Sequence, residues 1–92
     1  MLDEARRKRW SELFSALASE PRLRIVEMLT GGTLGCQEFL AQLGLSQPAV
    51  SYHLGKLERA GVLVKTKDGT RNCYRLNERI DEMMEILKEE TR

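Results

Sequence analysis

The sequence contains few residues of the kinds that build metal centres and catalytic sites. It has one histidine and two cysteines among 92 residues. A tetrahedral zinc site needs three or four sulfur or nitrogen ligands, and His53, Cys36 and Cys73 are too few and too scattered. Ser51 and His53 cannot form a catalytic pair, because residues i and i+2 of a helix point apart. With no paired carboxylates on converging elements, the sequence predicts neither an enzyme nor a bound cofactor or metal.

Long apolar runs are also missing. No run approaches the length that spans a bilayer, and no signal-peptide pattern opens the chain. The hydrophobic share of 41% and the charged share of 32% are ordinary for a globular protein. We therefore expect one small cytoplasmic domain over residues 1–92, with no membrane partner and with both cysteines reduced.

The chain has almost no net charge, since the formal total is +1. Its distribution is nevertheless uneven: residues 47–75 hold six basic residues and two acidic ones, whereas residues 76–92 hold six acidic and three basic ones. A solvated surface could produce the same pattern. Joined to a nucleic-acid-binding motif, a basic segment of this kind favours contact with phosphates.

The segment from Ser46 to Leu63 is the most informative part of the sequence. Ser46 can cap a helix, and Pro48 is tolerated in its first turn. Val50, Leu54 and Leu57 recur at helical spacing and form one apolar stripe. Most of the remaining surface of this helix is polar. A narrow buried stripe opposite a polar face suits a helix that contacts base edges in the major groove of DNA.

The neighbouring segments predict a winged helix-turn-helix. A short helix over residues 38–43 is ended by Gly44, and a three-residue turn leads to the next helix, so the helix-turn-helix covers about 36–60. After Gly61 the hydrophobic period changes to two. Strands at 62–67 and 70–76, joined by a turn at Asp68-Gly69, form a hairpin wing over about 62–76. The predicted fold is mainly α with a β-hairpin wing.

Three further helices bring the predicted number to five. A first helix over 3–18, a second beginning at Pro21 and a last one over 78–90 each carry an apolar stripe. The expected stripe residues are Trp10, Leu13, Phe14 and Leu17; Leu23, Val26 and Leu29 or their neighbours; and Ile80, Met83, Met84 and Leu87. A small domain cannot easily bury both terminal stripes, so we expect a homodimer through the first and last helices. Packing of both helices on their own domain is the alternative.

Four stretches carry a family resemblance. They are Pro21–Ile25 (PRLRI), Leu45–Leu54 (LSQPAVSYHL), Leu57–Leu63 (LERAGVL) and Tyr74–Leu76 (YRL). Over roughly residues 10 to 78, the chain resembles the ArsR/SmtB repressors of bacteria and archaea. The resemblance implies a homodimeric transcription factor, commonly a repressor that a metal, a metalloid or a thiol-reactive signal releases from its operator.

The predicted DNA-binding residues lie on the 46–60 helix and the wing. They are Gln47, Ser51, Tyr52, His53, Lys56, Lys67 and Arg71. Gln47 can pair with an adenine edge, Lys56 is better placed for a phosphate, and the wing residues should enter or straddle the minor groove. The resemblance implies that Ser51 and His53 lie at or beside the DNA. Because His53 flanks the apolar stripe, packing or bracing the helix is its alternative role.

The usual ligands of the family are missing, which leaves the effector unidentified. The resemblance places the Cys-x-Cys metalloid site at Gly35 and Gln37, and the last helix has no histidine for zinc. One alternative is a thiol-based redox or metalloid sensor that uses Cys36, Cys73 or both. The default explanation of Cys36 is a small hydrophobe that points into the core. A second alternative is a winged helix that binds protein instead of DNA. The basic character of the helix and the wing argues against it, since they carry Lys56, Lys65, Lys67 and Arg71.

Overall fold

The computed structural model describes residues 1–90, which contain five helices and a three-stranded sheet. The elements in chain order are α1 (Glu4–Leu17), α2 (Glu20–Leu29), β1 (Leu34–Gly35), α3 (Cys36–Leu43), α4 (Gln47–Arg59), β2 (Leu63–Asp68), β3 (Arg71–Leu76) and α5 (Glu78–Glu90). The winged helix-turn-helix predicted from the sequence is confirmed. The helix-turn-helix consists of α3 and α4, and the wing consists of β2 and β3.

Side-chain caps and one glycine set the limits of the helix-turn-helix. Ser46 Oγ accepts a hydrogen bond from the Ala49 backbone N–H over 3.3 Å, and Pro48 lies in the first turn of α4. Gly44 ends α3 with φ +68°, a conformation that glycine adopts without steric cost. Both ends of the turn therefore lie where the sequence predicted them.

The sheet differs from the prediction in two details. β1, which pairs with β3 through Leu34 and Gly35, was not predicted, because two residues cannot show a period. The hairpin turn is Gly69-Thr70 rather than Asp68-Gly69, since Asp68 is still paired with Arg71. Gly69 has φ +66° and Thr70 does not have a positive φ, so glycine occupies the first central position of the turn, as in a type II′ hairpin.

The core lies between the helices and the inner face of the sheet. Its most completely buried side chains are Ile25, Val26, Phe39, Val50, Leu54, Leu57 and Val62. Val26 and Leu29 face this core as expected, whereas Leu23 is 44% exposed and its neighbour Ile25 is buried instead. The buried stripe of α2 runs through Ile25 and Leu29, and Leu23 lies about 120° around the helix from Leu29. None of the helices in residues 1–90 combines the length and the apolarity needed to cross a bilayer.

Candidate nucleic-acid interface

Helix α4 presents a polar face to solvent and an apolar stripe to the core. Gln47, Ser51 and Tyr52 are exposed, and Tyr52 retains 55% of its accessible surface. Val50, Leu54 and Leu57 on the opposite side are at most 1% exposed. This division is the one that the sequence predicted. It leaves three side chains with hydrogen-bonding groups exposed on one face of α4.

Lys56 lies farther along α4, where that helix passes α1. It is half-buried and lines a cavity of about 350 Å³ together with Glu12 of α1 and Arg59. The guanidinium of Arg59 also lies close to Gly55, where an added Cβ would be 3.0 Å from Arg59 Nη1. The lining of the cavity therefore includes two basic side chains and one carboxylate.

His53 is held by a residue that sequence reasoning did not include in the site. Its half-buried ring places Nδ1 3.1 Å from Arg22 Nη1 of α2. Arg22 Nε also donates a 2.6 Å hydrogen bond to the Ala16 carbonyl oxygen in α1. Burial, and secondly the positive charge of Arg22, lower the pKa of His53 below its ordinary value. The geometry thus favours the bracing role for this histidine.

The wing is basic and exposed, and a residue beside its hairpin turn contacts α3. Lys65 and Lys67 lie on the exposed part of β2. Arg71, the first residue of β3, extends its Nη2 atom to 3.5 Å from Glu38 Oε2. The same carboxylate oxygen accepts a 3.0 Å hydrogen bond from the Gly35 backbone N–H. Arg71 is 56% exposed, so this ion pair leaves part of its guanidinium open to solvent.

Glu38 has a perturbed pKa because of these contacts. Hydrogen bonds from its own backbone N–H and from that of Gly35, together with the charge of Arg71, hold the pKa of Glu38 below its usual value. The Gly-x-x-Glu spacing was the sequence signal that could have identified this contact, because glutamate three residues after a helix cap commonly bonds back to the cap. No local pattern could have identified Arg71 as the third member.

Comparison with known proteins agrees with this geometry. Residues 17–66 match a family described as a helix-turn-helix domain. An arsenical resistance operon repressor from Staphylococcus aureus is 31% identical over 81 residues, which cover 87% of this chain and 78% of that protein. The chain belongs to the ArsR family.

Solved structures show the same fold as this ArsR-family chain. HlyU from Vibrio cholerae is 32% identical, with a TM-score of 0.83 over 97% of this chain and 98% of that one. A homodimeric winged helix-turn-helix domain from Mycobacterium bovis, a possible ArsR-family regulator, has a TM-score of 0.86 over 91% of this chain and 79% of that one. It is 24% identical, so it supports the fold alone.

The two cysteines of this ArsR-family protein lie in different elements, Cys36 at the start of α3 and Cys73 in β3. Gly35, which directly precedes Cys36, is paired with Cys73 of β3. Cys73 is buried and Cys36 is half-buried against the core. The burial of Cys73 argues for a packing role rather than for the reactive thiol of the sensor alternative. Across residues 1–90, no three His, Cys, Asp or Glu side chains are grouped so that they could hold a metal ion.

The outer faces of α1 and α5 expose large apolar side chains. Trp10, Phe14, Ile86 and Leu87 are each about half exposed, at 52%, 54%, 60% and 48%. The rings of Trp10 and Phe14 contact each other edge to face, with centroids 6.5 Å apart. Nearby, Leu23, Met84 and Leu87 line a groove of about 290 Å³ between α2 and α5. This surface lies on the two helices through which the sequence predicted dimer formation.

Proposed function

We propose that this protein is a homodimeric, sequence-specific DNA-binding repressor of transcription. The observation that carries the proposal is the exposed polar face of α4, whose Gln47, Ser51 and Tyr52 lie opposite a fully buried stripe. The basic wing beside it supplies the positive charge that binding to phosphates requires. Membership of the ArsR family, which includes operon repressors, supports the same function.

Each exposed group has a proposed role in the complex with DNA. Gln47, at the first turn of α4, donates to and accepts from an adenine edge in the major groove. Ser51 and Tyr52 contact bases or phosphates, and Lys56 contacts a phosphate. Lys67 lies beside the tip of the wing and contacts the minor groove or its phosphates. Arg71 joins it with the part of the guanidinium that Glu38 leaves exposed.

The dimer follows from the exposed apolar surface of α1 and α5. Exposed clusters of large apolar residues mark sites of protein association, and a second copy of the chain offers the same cluster to form a closed pair. A homodimeric domain from Mycobacterium bovis has the same fold, and we carry its two-copy assembly over to this chain as part of the proposal. Two-fold symmetry then requires an inverted-repeat operator with half-site centres about one helical turn apart.

Binding at a promoter would exclude RNA polymerase, which makes repression the simplest outcome. Such a protein works in the compartment that holds the genome, so we place it in the cytoplasm. The proposal assigns it no chemical reaction. It also assigns no metal, because neither family ligand set is present at residues 35–37 or in the histidine-free last helix.

The test is selection of bound fragments from a random pool of duplex DNA by the full chain. We expect an enriched inverted repeat and binding that weakens steeply with salt. Gln47→Ala should then weaken binding and relax the base preference at one position by about 1–3 kcal/mol, whereas Gln37→Ala, at an exposed glutamine of α3, should not. A pool that shows no enrichment, or an unchanged base preference in Gln47→Ala, would contradict the proposed function.

A further inference from the structure

We infer that Arg22 is a positioning residue for DNA recognition, because its guanidinium holds α4 in place through His53 Nδ1. The inference rests on the proposed function and assigns His53 to this contact rather than to the DNA. It concerns a pair of residues 31 positions apart in the sequence, one of them outside the helix-turn-helix.

Arg22 connects three helices through one side chain. It belongs to α2, donates from Nε to the Ala16 carbonyl oxygen of α1 over 2.6 Å, and places Nη1 3.1 Å from His53 Nδ1 of α4. The planar guanidinium presents several N–H donors in a rigid fork, so both contacts can form at once. A lysine ammonium on a flexible chain cannot reproduce this pair of directions.

The position of His53 on α4 explains why this contact matters for recognition. His53 lies between the exposed Tyr52 and the buried Leu54, at the border of the face proposed to contact DNA. Its ring also contacts that of Tyr52, with centroids 5.4 Å apart. Apolar packing of Leu54 is non-directional and tolerates small rotations of the helix about its axis. A directional hydrogen bond at this border limits such rotation and thereby orients Ser51 and Tyr52.

The contact requires a neutral imidazole. Arg22 is always charged and can only donate, so Nδ1 must accept and the ring proton must be on Nε2. A protonated ring would place an N–H opposite the guanidinium and would lose the bond. The lowered pKa of His53, which burial and the Arg22 charge both cause, agrees with a neutral ring.

Charged residues also lie on the other elements that pack against α4. Glu12 on α1 shares a cavity with Lys56 and Arg59, Glu38 on α3 is paired with Arg71, and Lys65 is on the exposed part of β2. Arg22 on α2 is the charge that acts on the His53 ring.

The pH dependence of DNA binding separates positioning from direct contact. If His53 positions the helix, affinity falls as pH decreases below the ordinary histidine value of 6.5, because protonation breaks the Arg22 contact. If His53 instead contacts a phosphate, affinity rises over the same range, because the ring gains a positive charge. The two roles therefore predict opposite signs.

Two amide variants distinguish the ring nitrogens. The side-chain oxygen of asparagine lies where Nδ1 does, and that of glutamine lies where Nε2 does. On the selected operator, His53→Asn should bind within about twofold of wild type and lose the pH dependence, while His53→Gln should bind about five- to tenfold more weakly. The reverse order, or wild-type affinity that rises on acidification, would overturn the inference.

Arg22→Lys should also bind the operator about five- to tenfold more weakly. Arg24→Lys is the matched control, since Arg24 is exposed on the same helix and donates to the Gln42 carbonyl oxygen. If Arg22→Lys is unfolded by circular dichroism, the two histidine variants still decide the matter. A wild-type chain that selects no DNA overturns the proposed function, whereas one that selects DNA but shows the reverse order for His53 overturns only the positioning role.

Discussion

At the scale of single residues, Glu38 joins parts of the chain that meet only in the folded state. Its carboxylate accepts from the Gly35 backbone and pairs with Arg71 at 3.5 Å, so one side chain connects α3, β1 and the wing. A methyl group at position 35 would lie 2.6 Å from Arg71 Nη2, which shows how closely the guanidinium passes over Gly35. The turn end of the wing is therefore oriented by this contact as well as by its strand pairing.

Replacing Glu38 by Gln should lower the free energy of unfolding at neutral pH. It should also make that free energy depend less on pH in the acidic range. The folded-state pKa of Glu38 lies below 4.5, so its stabilising contribution is present above that value and is lost as pH falls through the folded-state pKa. Urea unfolding of the wild type and the variant at several pH values between about 3 and 7 measures this. The difference in unfolding free energy between the wild type and Glu38→Gln should shrink as the pH is lowered. Glu82→Gln on the exposed surface of α5 is the control, and a difference independent of pH would contradict the argument.

The sequence identified the site residues that a local pattern marks. It did not identify those whose role arises from a contact between distant parts of the chain. Gln47, Ser51 and Tyr52 were found because helical spacing separates them from Val50 and Leu54. Arg22 was missed because nothing within its own helix relates it to His53. Its contact exists only after α2 and α4 pack together.

At the scale of elements, α4 contains a glycine near its middle, which costs stability. Gly55 lies among helical residues, and a Cβ there would meet the mobile end of Arg59, with Nη1 at 3.0 Å. That end can shift at little cost. Gly55→Ala should therefore raise the free energy of unfolding by about 0.5–1 kcal/mol, measured by urea denaturation. Gly69→Ala in the hairpin should do the opposite because its φ is +66°. A lower free energy of unfolding in Gly55→Ala would contradict this prediction, because it would show that position 55 requires glycine.

The wing should contribute affinity that does not depend on sequence. Lys67 is exposed on β2 beside the hairpin turn. Lys67→Ala should weaken binding to the operator and to unrelated duplexes alike, and should reduce the slope of log affinity against log salt by about one. Arg24→Ala on α2, where Arg24 is exposed and donates to the Gln42 carbonyl oxygen, is the control. If the salt slope of Lys67→Ala equals that of the wild type, Lys67 does not contact a phosphate.

Element prediction succeeded where a period or a cap was present. The helices were identified from 3.6-residue periodicity and from caps such as Ser46, and the wing from alternation over six residues. β1 has two residues and so no pattern. The hairpin turn was placed one residue early because Asp-Gly and Gly-Thr are both acceptable turn pairs, and strand pairing of Asp68 with Arg71 decided between them.

At the scale of the whole molecule, the two functional surfaces are carried by different elements. The proposed DNA contacts lie on α4 and the wing, whereas the exposed apolar side chains belong to α1 and α5. Substitutions in one surface should therefore leave the local structure of the other intact. Their effects on operator binding are nevertheless coupled, because a dimer places two α4 helices on one DNA molecule.

Phe14→Glu should convert the dimer to a monomer without unfolding the chain. Phe14 is 54% exposed in the single chain, so a charge there is solvated in the monomer but must be desolvated in a dimer interface. Light scattering coupled to size exclusion at micromolar concentration should show half the wild-type mass. Operator affinity should fall at least about tenfold, because each monomer holds one half-site. Gln42→Glu on α3 makes the same charge change away from α1 and α5 and should keep the dimer mass. A monomeric wild type, or a dimeric Phe14→Glu variant, would show that these helices do not form the interface.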